Sequence, residues 1–303
     1  MTGAPDTCPL CGSATVPMPT RPVVRFAEAG LAVDTFGSSR KRVGHVRVVR
    51  CAKCGLGWQS PMPTAEALKE TYRSMEDERR LLDVGGRERP ARRYLRLLSR
   101  YAGDTRGRLL DVGCSTGVFL HESLRNGWDA IGIEPSAWLA AHARARLGAR
   151  VRETTLEDEA FDDQSFAAVT MWDVLEHMTD PIGALRKVVG LLCPGGTLGI
   201  NVPNIDSLPA RFLGARWPLI LPEHTFYFTP RSLGRLFEQS GLSWLGAHAH
   251  PVFFSAGYVA ERLKQHDVSC AGFVGRILRA LRMDAVNMPV LMGEMTVFAR
   301  RSA

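Results

Sequence analysis

Apolar positions along the chain follow two different periods, and the switches between them lay out the elements. Arg108-Leu109-Leu110-Asp111-Val112 is a nearly continuous apolar run that ends in Gly113-Cys114-Ser115-Thr116-Gly117, after which Val118, Phe119, Leu120 and Leu124 recur at helical spacing. This predicts a buried strand, a glycine turn and an amphipathic helix. The run Asp129 to Glu134 predicts a second strand with a carboxylate at its C-terminal end. A helix over about 136–147, a short strand near 149–152, a turn at Asp162-Asp163 and a strand over 166–172 follow. Thr197 to Val202, Leu242 to His248 and Met295 to Arg300 complete the strands. Alternation of strand and helix predicts an α/β fold with a parallel, doubly wound sheet.

The first hundred residues read differently. Val43, Val46, Val48 and Val49 form a short β-like run. Thr64 is a predicted N-cap, with Glu66 in the first turn and Leu68 and Tyr72 at helical spacing, so a helix is expected over 64–75. The charge-dense stretch 75–89 reads as a connection, and Arg92 to Tyr101 resumes helical spacing through Tyr94, Leu95, Leu97 and Leu98. The expected organisation is a small module over 1–60, linker helices over 61–104 and a large domain over 105–303, with a helical insertion at about 252–285.

A length of 303 residues, with 45% hydrophobic and 23% charged positions, excludes a disordered chain and leaves room for one large domain with an attachment. Neither a signal-peptide core nor an apolar run long enough to cross a bilayer is present, so a cytoplasmic location is expected. Residues 1–100 carry 18 basic and 10 acidic side chains, and the remainder 20 and 21, so the whole excess of the net +7 lies in the first third. Only five of the 38 basic residues are lysines, and no dense basic patch forms, so nucleic acid is not the expected partner.

Four of the seven cysteines stand in two matching pairs, Cys8-Pro9-Leu10-Cys11-Gly12 and Cys51-Ala52-Lys53-Cys54-Gly55. Each pair puts two thiolates on a tight turn, and four thiolates close a tetrahedral site of the zinc-ribbon type. Such a closed site has no open position for catalysis, so a structural zinc at Cys8, Cys11, Cys51 and Cys54 is expected, with the module serving either as scaffold alone or also as a docking surface or substrate lid.

The turn after the first strand reads Asp-x-Gly-x-x-x-Gly, where a dinucleotide site wants Gly-x-Gly-x-x-Gly. A loop with close backbone approach at Gly113 and a carboxylate at Asp111 suits S-adenosylmethionine, which carries an ammonium and no phosphate, and Glu134 can accept from both ribose hydroxyls. Leu-Leu-Asp-Val-Gly-Cys-Ser-Thr-Gly, Gly132-Ile133-Glu134-Pro135-Ser136, Met171 to His177 and Pro194-Gly195-Gly196 resemble class I methyltransferases over residues 108 to 300. The most similar are bacterial small-molecule enzymes of sugar, polysaccharide and natural-product pathways that carry an N-terminal zinc-binding segment. The resemblance implies a seven-stranded, Rossmann-like sheet. It also implies a donor site lined by Asp111, Gly113, Cys114, Gly117 and Glu134, with Leu156 near the adenine and Trp172 near the sulfonium. Ser115 stands where the family has a middle glycine.

After the fourth strand comes Asp173-Val174-Leu175-Glu176-His177. In a helical turn, positions 173, 176 and 177 share a face. Three readings stand open: a divalent metal on Asp173, Glu176, His177 and the later His224; His177 or His224 as a metal-free general base; or a plain helix start. The metal reading resembles the Glu-x-x-Glu-His site of ubiquinone-pathway and small-RNA methyltransferases, with Asp173 replacing the first Glu. Glu223 to Pro230 resembles the family's His-x-x-Tyr-Phe-Thr-Pro segment, with His224 and Tyr227 expected at the acceptor pocket and Phe226 and Phe228 in the core. In the insertion, helices are expected near 254–265 and 272–283. The second carries Arg276, Arg279 and Arg282 opposite an apolar stripe, which fits packing on the core or a lid better than contact with an anionic membrane surface or a lipid-linked acceptor. The expected activity is methylation of a small hydroxylated acceptor at oxygen. The alternatives are a zinc-ribbon rRNA base methyltransferase and a non-catalytic donor-binding module.

Overall fold

The structure is a computed structural model and describes residues 7–17, 47–76, 84–103, 106–255, 280 and 287–302. Its centre is a seven-stranded sheet of β4 (Arg108–Val112), β5 (Asp129–Ile133), β6 (Val151–Arg152), β7 (Phe166–Trp172), β8 (Leu192–Pro203), β10 (Leu242–Ser255) and β11 (Asn287–Arg301). Their order is β10-β11-β8-β7-β4-β5-β6, with β11 antiparallel to both neighbours and the pairs from β8 to β6 parallel. Order reverses at β4, so the ends of β4, β5 and β7 form the crevice in which such sheets hold ligands.

The interleaved helices are α1 (Ala65–Arg73), α2 (Val84–Ala102), α3 (Val118–Arg125), α4 (Ala137–Leu147), α5 (Pro181–Leu191), α6 (Leu208–Leu213) and α7 (Pro230–Ser240). Local chemistry sets their ends: the side chains of Thr64, Ser136, Asp180, Ser207 and Thr229 each accept a backbone N–H of the first turn. The fifth strand begins earlier than expected, because β8 pairs Leu192 with Phe166, makes an excursion over 193–196 and resumes at Thr197 opposite Ala168. The last two strands are also longer than expected, and Phe254 and Ser255, predicted to open a helix, belong to β10. Apart from those two residues and Ala280, both helices expected in the insertion lie outside the described residues.

The cysteine module shares a sheet with the large domain. Strands β1 (Thr15–Pro17), β2 (Val48–Cys51) and β3 (Gly57–Gln59) continue into β9 (Phe226–Tyr227), in the order β1-β2-β3-β9. Cys8, Cys51, Cys54 and Trp58 belong to the same hydrophobic core as Val169, Ile200 and Phe237. This junction was invisible in the sequence, because its strands are too short to show a period. Among the described residues, no helix is long and apolar enough to cross a membrane.

Candidate active site

The residues expected to hold the donor come mainly from one stretch, 111–136. Gly113 turns the chain at φ +71°, and a Cβ there would lie 2.7 Å from Val174 Cγ2, so both its conformation and its space require glycine. Cys114 sends its side chain inward against Gly132 and Leu120, leaving its backbone to the turn. Ser115, in the place of the usual glycine, is itself left-handed at φ +53°. Its N–H donates to Glu134 Oε2 at 2.8 Å, while the Ser136 N–H donates to Oε1 at 2.9 Å. Glu134 is thereby locked at the tip of β5, and a carboxylate oxygen can accept a further hydrogen bond beside the one from the backbone. Asp111 is buried and accepts from Thr170 Oγ1 at 2.8 Å. Burial pushes its carboxyl up to about 7 against that hydrogen bond, so a cationic ligand would stabilise its ionised form. Gly117, also left-handed, caps α3, and Leu156 is buried in the core.

Trp172, at the end of β7, stacks flat on Tyr94 of α2 (centroids 4.1 Å apart, planes at 2°), and Tyr94 stacks in turn on His250 at 4.9 Å. The Trp172 indole N–H is buried with no hydrogen-bond partner among the described residues. Asp173 is left-handed at φ +57°, outside the 3-10 turn formed by Leu175–His177. The single helical turn expected to align 173, 176 and 177 therefore does not form. Asp173 Oδ1 accepts from Asn201 Nδ2 at 2.6 Å, and Asn201 Oδ1 accepts from Thr296 Oγ1 at 2.9 Å. Glu294, cross-strand from His250, has its carboxyl pushed up to about 8, first by burial and then by Asp173. Burial likewise drives His250 down to about 4.

One atom each of Glu176, His177 and His224 lies within 4.8 Å of the others. His224 Nδ1 is 2.9 Å from the Leu219 carbonyl, which can only accept, so Nδ1 carries the proton and Nε2 offers a lone pair. His177 Nδ1 lies 2.9 Å from the Glu223 carbonyl and 2.7 Å from the Tyr72 hydroxyl, leaving Nε2 toward Glu176 Oε1 at 4.0 Å. Glu176 is 1% exposed, its Oε2 lacks a hydrogen-bond partner among the described residues, and burial holds its carboxyl well above the usual range. Burial, then His177, hold His224 well below the usual imidazole range. Three converging acceptors with an orphaned carboxylate oxygen fit a divalent cation better than they fit one another. Tyr227, expected in the pocket, is fully buried beside Trp217, its hydroxyl donating to the Leu221 carbonyl at 3.3 Å.

The four cysteines also converge. Cys8 Sγ lies 3.6 Å from Cys54 Sγ and Cys11 Sγ 3.4 Å from Cys51 Sγ, too far for disulfides and close to the edge of about 3.8 Å that a tetrahedral Zn–S4 site requires. Burial pushes the Cys8 thiol up to about 11, a cost that a bound cation would reverse.

Sequence reasoning missed His250, Glu294, Asn201 and Thr296 as members of the candidate site and placed Tyr72 and Tyr94 only as apolar helix positions. They come from elements distant in the chain, and no local pattern marked them.

The sheet order and the glycine turn beneath Glu134 define a class I S-adenosylmethionine-dependent methyltransferase fold. Residues 85–246 match the family described as a methyltransferase domain, and the chain belongs to that family. It is similar to a ubiquinone biosynthesis O-methyltransferase of Cereibacter sphaeroides, 33% identical over 148 residues, covering 45% of this chain and 60% of the relative. A homologue of the same name from another strain of that species is 32% identical over 180 residues, covering 54% and 72%. The chain thus spans well under the full length of these curated relatives. Among solved structures it resembles a chain from the Haloferax volcanii complex of the Trm112 methyltransferase activator with a methyltransferase (17% identity, 76% of this chain and 100% of that one, TM-score 0.53). It also resembles the YcgJ protein of Bacillus subtilis (14% identity, 69% and 98%, TM-score 0.50). These two likenesses concern the fold.

Proposed function

We propose that the chain transfers the methyl group of S-adenosylmethionine to a hydroxyl oxygen of a small acceptor, a sugar, polysaccharide precursor or secondary metabolite. The observation that carries this reading is the convergence of Glu176, His177 and His224 on the ligand rim of the sheet, beyond the strand end that carries Trp172. The name of the relatives, O-methyltransferase, supports oxygen as the receiving atom.

Asp111 would hold the donor's ammonium and Glu134 its ribose hydroxyls, while the Trp172–Tyr94 stack bounds the methyl side. The acceptor oxygen attacks the methyl carbon in line, the carbon–sulfur bond breaks, and its electron pair stays on sulfur. An alcohol must lose a proton in this step, and that proton passes to solvent water. Glu176, His177 and His224 would hold a divalent ion, which when bound supplies a Lewis acid that acidifies an adjacent hydroxyl. His224, whose imidazole burial keeps neutral, is a better ligand than base. A second ion, a structural zinc, would be held by Cys8, Cys11, Cys51 and Cys54.

The test is incubation of the protein with methyl-labelled donor and a panel of catechols and glycosides, with NMR of the product. A labelled methyl ether is expected, with activity lost on chelation and restored by a divalent ion. Label on carbon or nitrogen alone, or undiminished turnover in chelator, removes the corresponding part of the reading. Absence of calorimetric donor binding removes all of it.

A further inference from the structure

Thr225 stands between two clusters whose members are far apart in sequence. On one side, the Gln59 N–H donates to the Thr225 carbonyl at 2.9 Å, extending the ladder in which Gly57 pairs with Tyr227 and Trp58 with Phe226. Gln59 ends β3, and the turn joining β3 to β2 is the knuckle that carries Cys51 and Cys54. On the other side, the Thr225 N–H donates to the Glu176 carbonyl at 2.8 Å. Its hydroxyl lies between the carbonyl oxygens of Glu176 and Met178, at 2.8 and 2.6 Å, and shares its single proton between them. Thr225 is fully buried and follows His224 directly.

The cysteine module is fastened to the same region by further bonds, from Thr229 Oγ1 to the Cys54 carbonyl (3.4 Å) and from Gln239 Nε2 to the Leu10 carbonyl (3.1 Å). Strands of four and three residues do not hold a register by themselves. A metal tying Cys8 and Cys11 to Cys51 and Cys54 would do so, and the ordered edge of β3 is the template on which β9 lies.

We propose that Thr225 is a positioning residue through which a metal ion held by Cys8, Cys11, Cys51 and Cys54 fixes His224 against Glu176 and His177. The zinc module is then a buttress of the reacting site. The part that concerns the trio rests on the divalent-cation reading given above, and the part that concerns Thr225 does not.

The test titrates the metal-free full-length chain with cobalt(II). The thiolate-to-cobalt charge-transfer band reports the cysteines, and amide hydrogen exchange is followed at residues 224–228 over the same titration. As the band saturates, the Thr225 amide is expected to exchange about tenfold more slowly, while amides of β4 and β7 stay as they were. Unchanged exchange at Thr225 with the band saturated overturns the proposal. Absence of the band also overturns it, by removing the metal from the thiolates, and leaves the donor-site reading untouched.

A second arm follows the weaker absorption of cobalt in nitrogen and oxygen coordination as the next equivalent binds. Thr225→Val is expected to weaken that affinity about tenfold with the thiolate band intact, and Thr225→Ser, which keeps the hydroxyl, to stay within about threefold of wild type. A valine variant that binds as wild type does, or a serine variant as weak as the valine one, overturns the proposal. A wild type that takes up no further cobalt removes the cation reading of Glu176, His177 and His224, and the exchange measurement then decides the role of Thr225.

Discussion

The donor side and the acceptor side of the site meet at Trp172 but are built in opposite ways. On the donor side nearly everything comes from residues 111–136, and its buried carboxyls already have hydrogen-bond partners: Glu134 accepts from two backbone N–H groups and Asp111 from the Thr170 hydroxyl. The acceptor side draws on α1, α2, the turn after β7, β8, the loop before β9, β10 and β11. Burial pushes the Glu176 carboxyl well above the usual carboxylate range and that of Glu294 up to about 8. The first side is preformed for a ligand. The second buries carboxyls whose ionised form a cation or a hydrogen-bond donor would restore, so its ligands complete it.

If the sides are independent in this sense, Glu176→Gln should lower kcat by about 10²- to 10⁴-fold, the range for losing a group that assists proton removal, while donor affinity stays within about twofold. Steady-state kinetics together with calorimetry check both halves of the statement. A variant that loses donor binding as well would mean that the two sides share their support.

The converse variant, Glu134→Ala, should weaken donor binding about 100-fold, since it removes a charged acceptor and leaves the Ser115 and Ser136 N–H groups to find other partners. Calorimetry reads this directly, and a loss of under tenfold would mean that the ribose is held elsewhere. Chelation should leave donor affinity unchanged.

The contrast also explains what the sequence made legible. Asp111, Gly113 and Glu134 could be named in advance because a strand, a turn with left-handed glycines and the next strand place them within two dozen residues of one another. The seven strands were each found for the same reason, although β8 was shortened by the excursion at 193–196 and β10 and β11 were cut at their arms. On the acceptor side the motifs marked Trp172, Asp173, Glu176, His177, His224 and Tyr227, and the last of these is buried beside Trp217. Tyr94 looked like any apolar helix position, and Glu294 and His250 meet only through the register of β10 on β11. The pairing of β3 with β9 spans some 170 residues with two short strands, a contact that no local period encodes.

The donor side should show its own pH dependence. In the free protein Asp111 stays protonated until about pH 7, because burial favours the neutral form, yet the donor's ammonium requires the carboxylate. Binding therefore takes up the cost of deprotonation below that value. Donor affinity should fall about tenfold from pH 8 to pH 6, and the fall should vanish in Asp111→Asn, whose affinity is low at both. The sign for stability is opposite to that for binding: a carboxyl whose folded value is raised makes the unliganded protein less stable as pH rises from the ordinary carboxylate range toward 7.

Ser115 offers the smallest and most local test of how preformed the donor turn is. Its backbone sits at φ +53°, where a side chain costs about 1–2 kcal/mol relative to the right-handed region. Glycine would remove that strain but give the unfolded chain more freedom, at about 0.4–1 kcal/mol. The two terms nearly cancel, so Ser115→Gly should raise stability by about 0.5 kcal/mol, seen as a slightly higher Tm. The N–H to Glu134 is a backbone group and survives the change, so donor affinity should hold within about twofold. A stability loss of more than about 1 kcal/mol would show that the serine side chain does more for the turn than its backbone strain takes away. The donor side would then depend on a side-chain contact at 115 in addition to its glycines and Glu134.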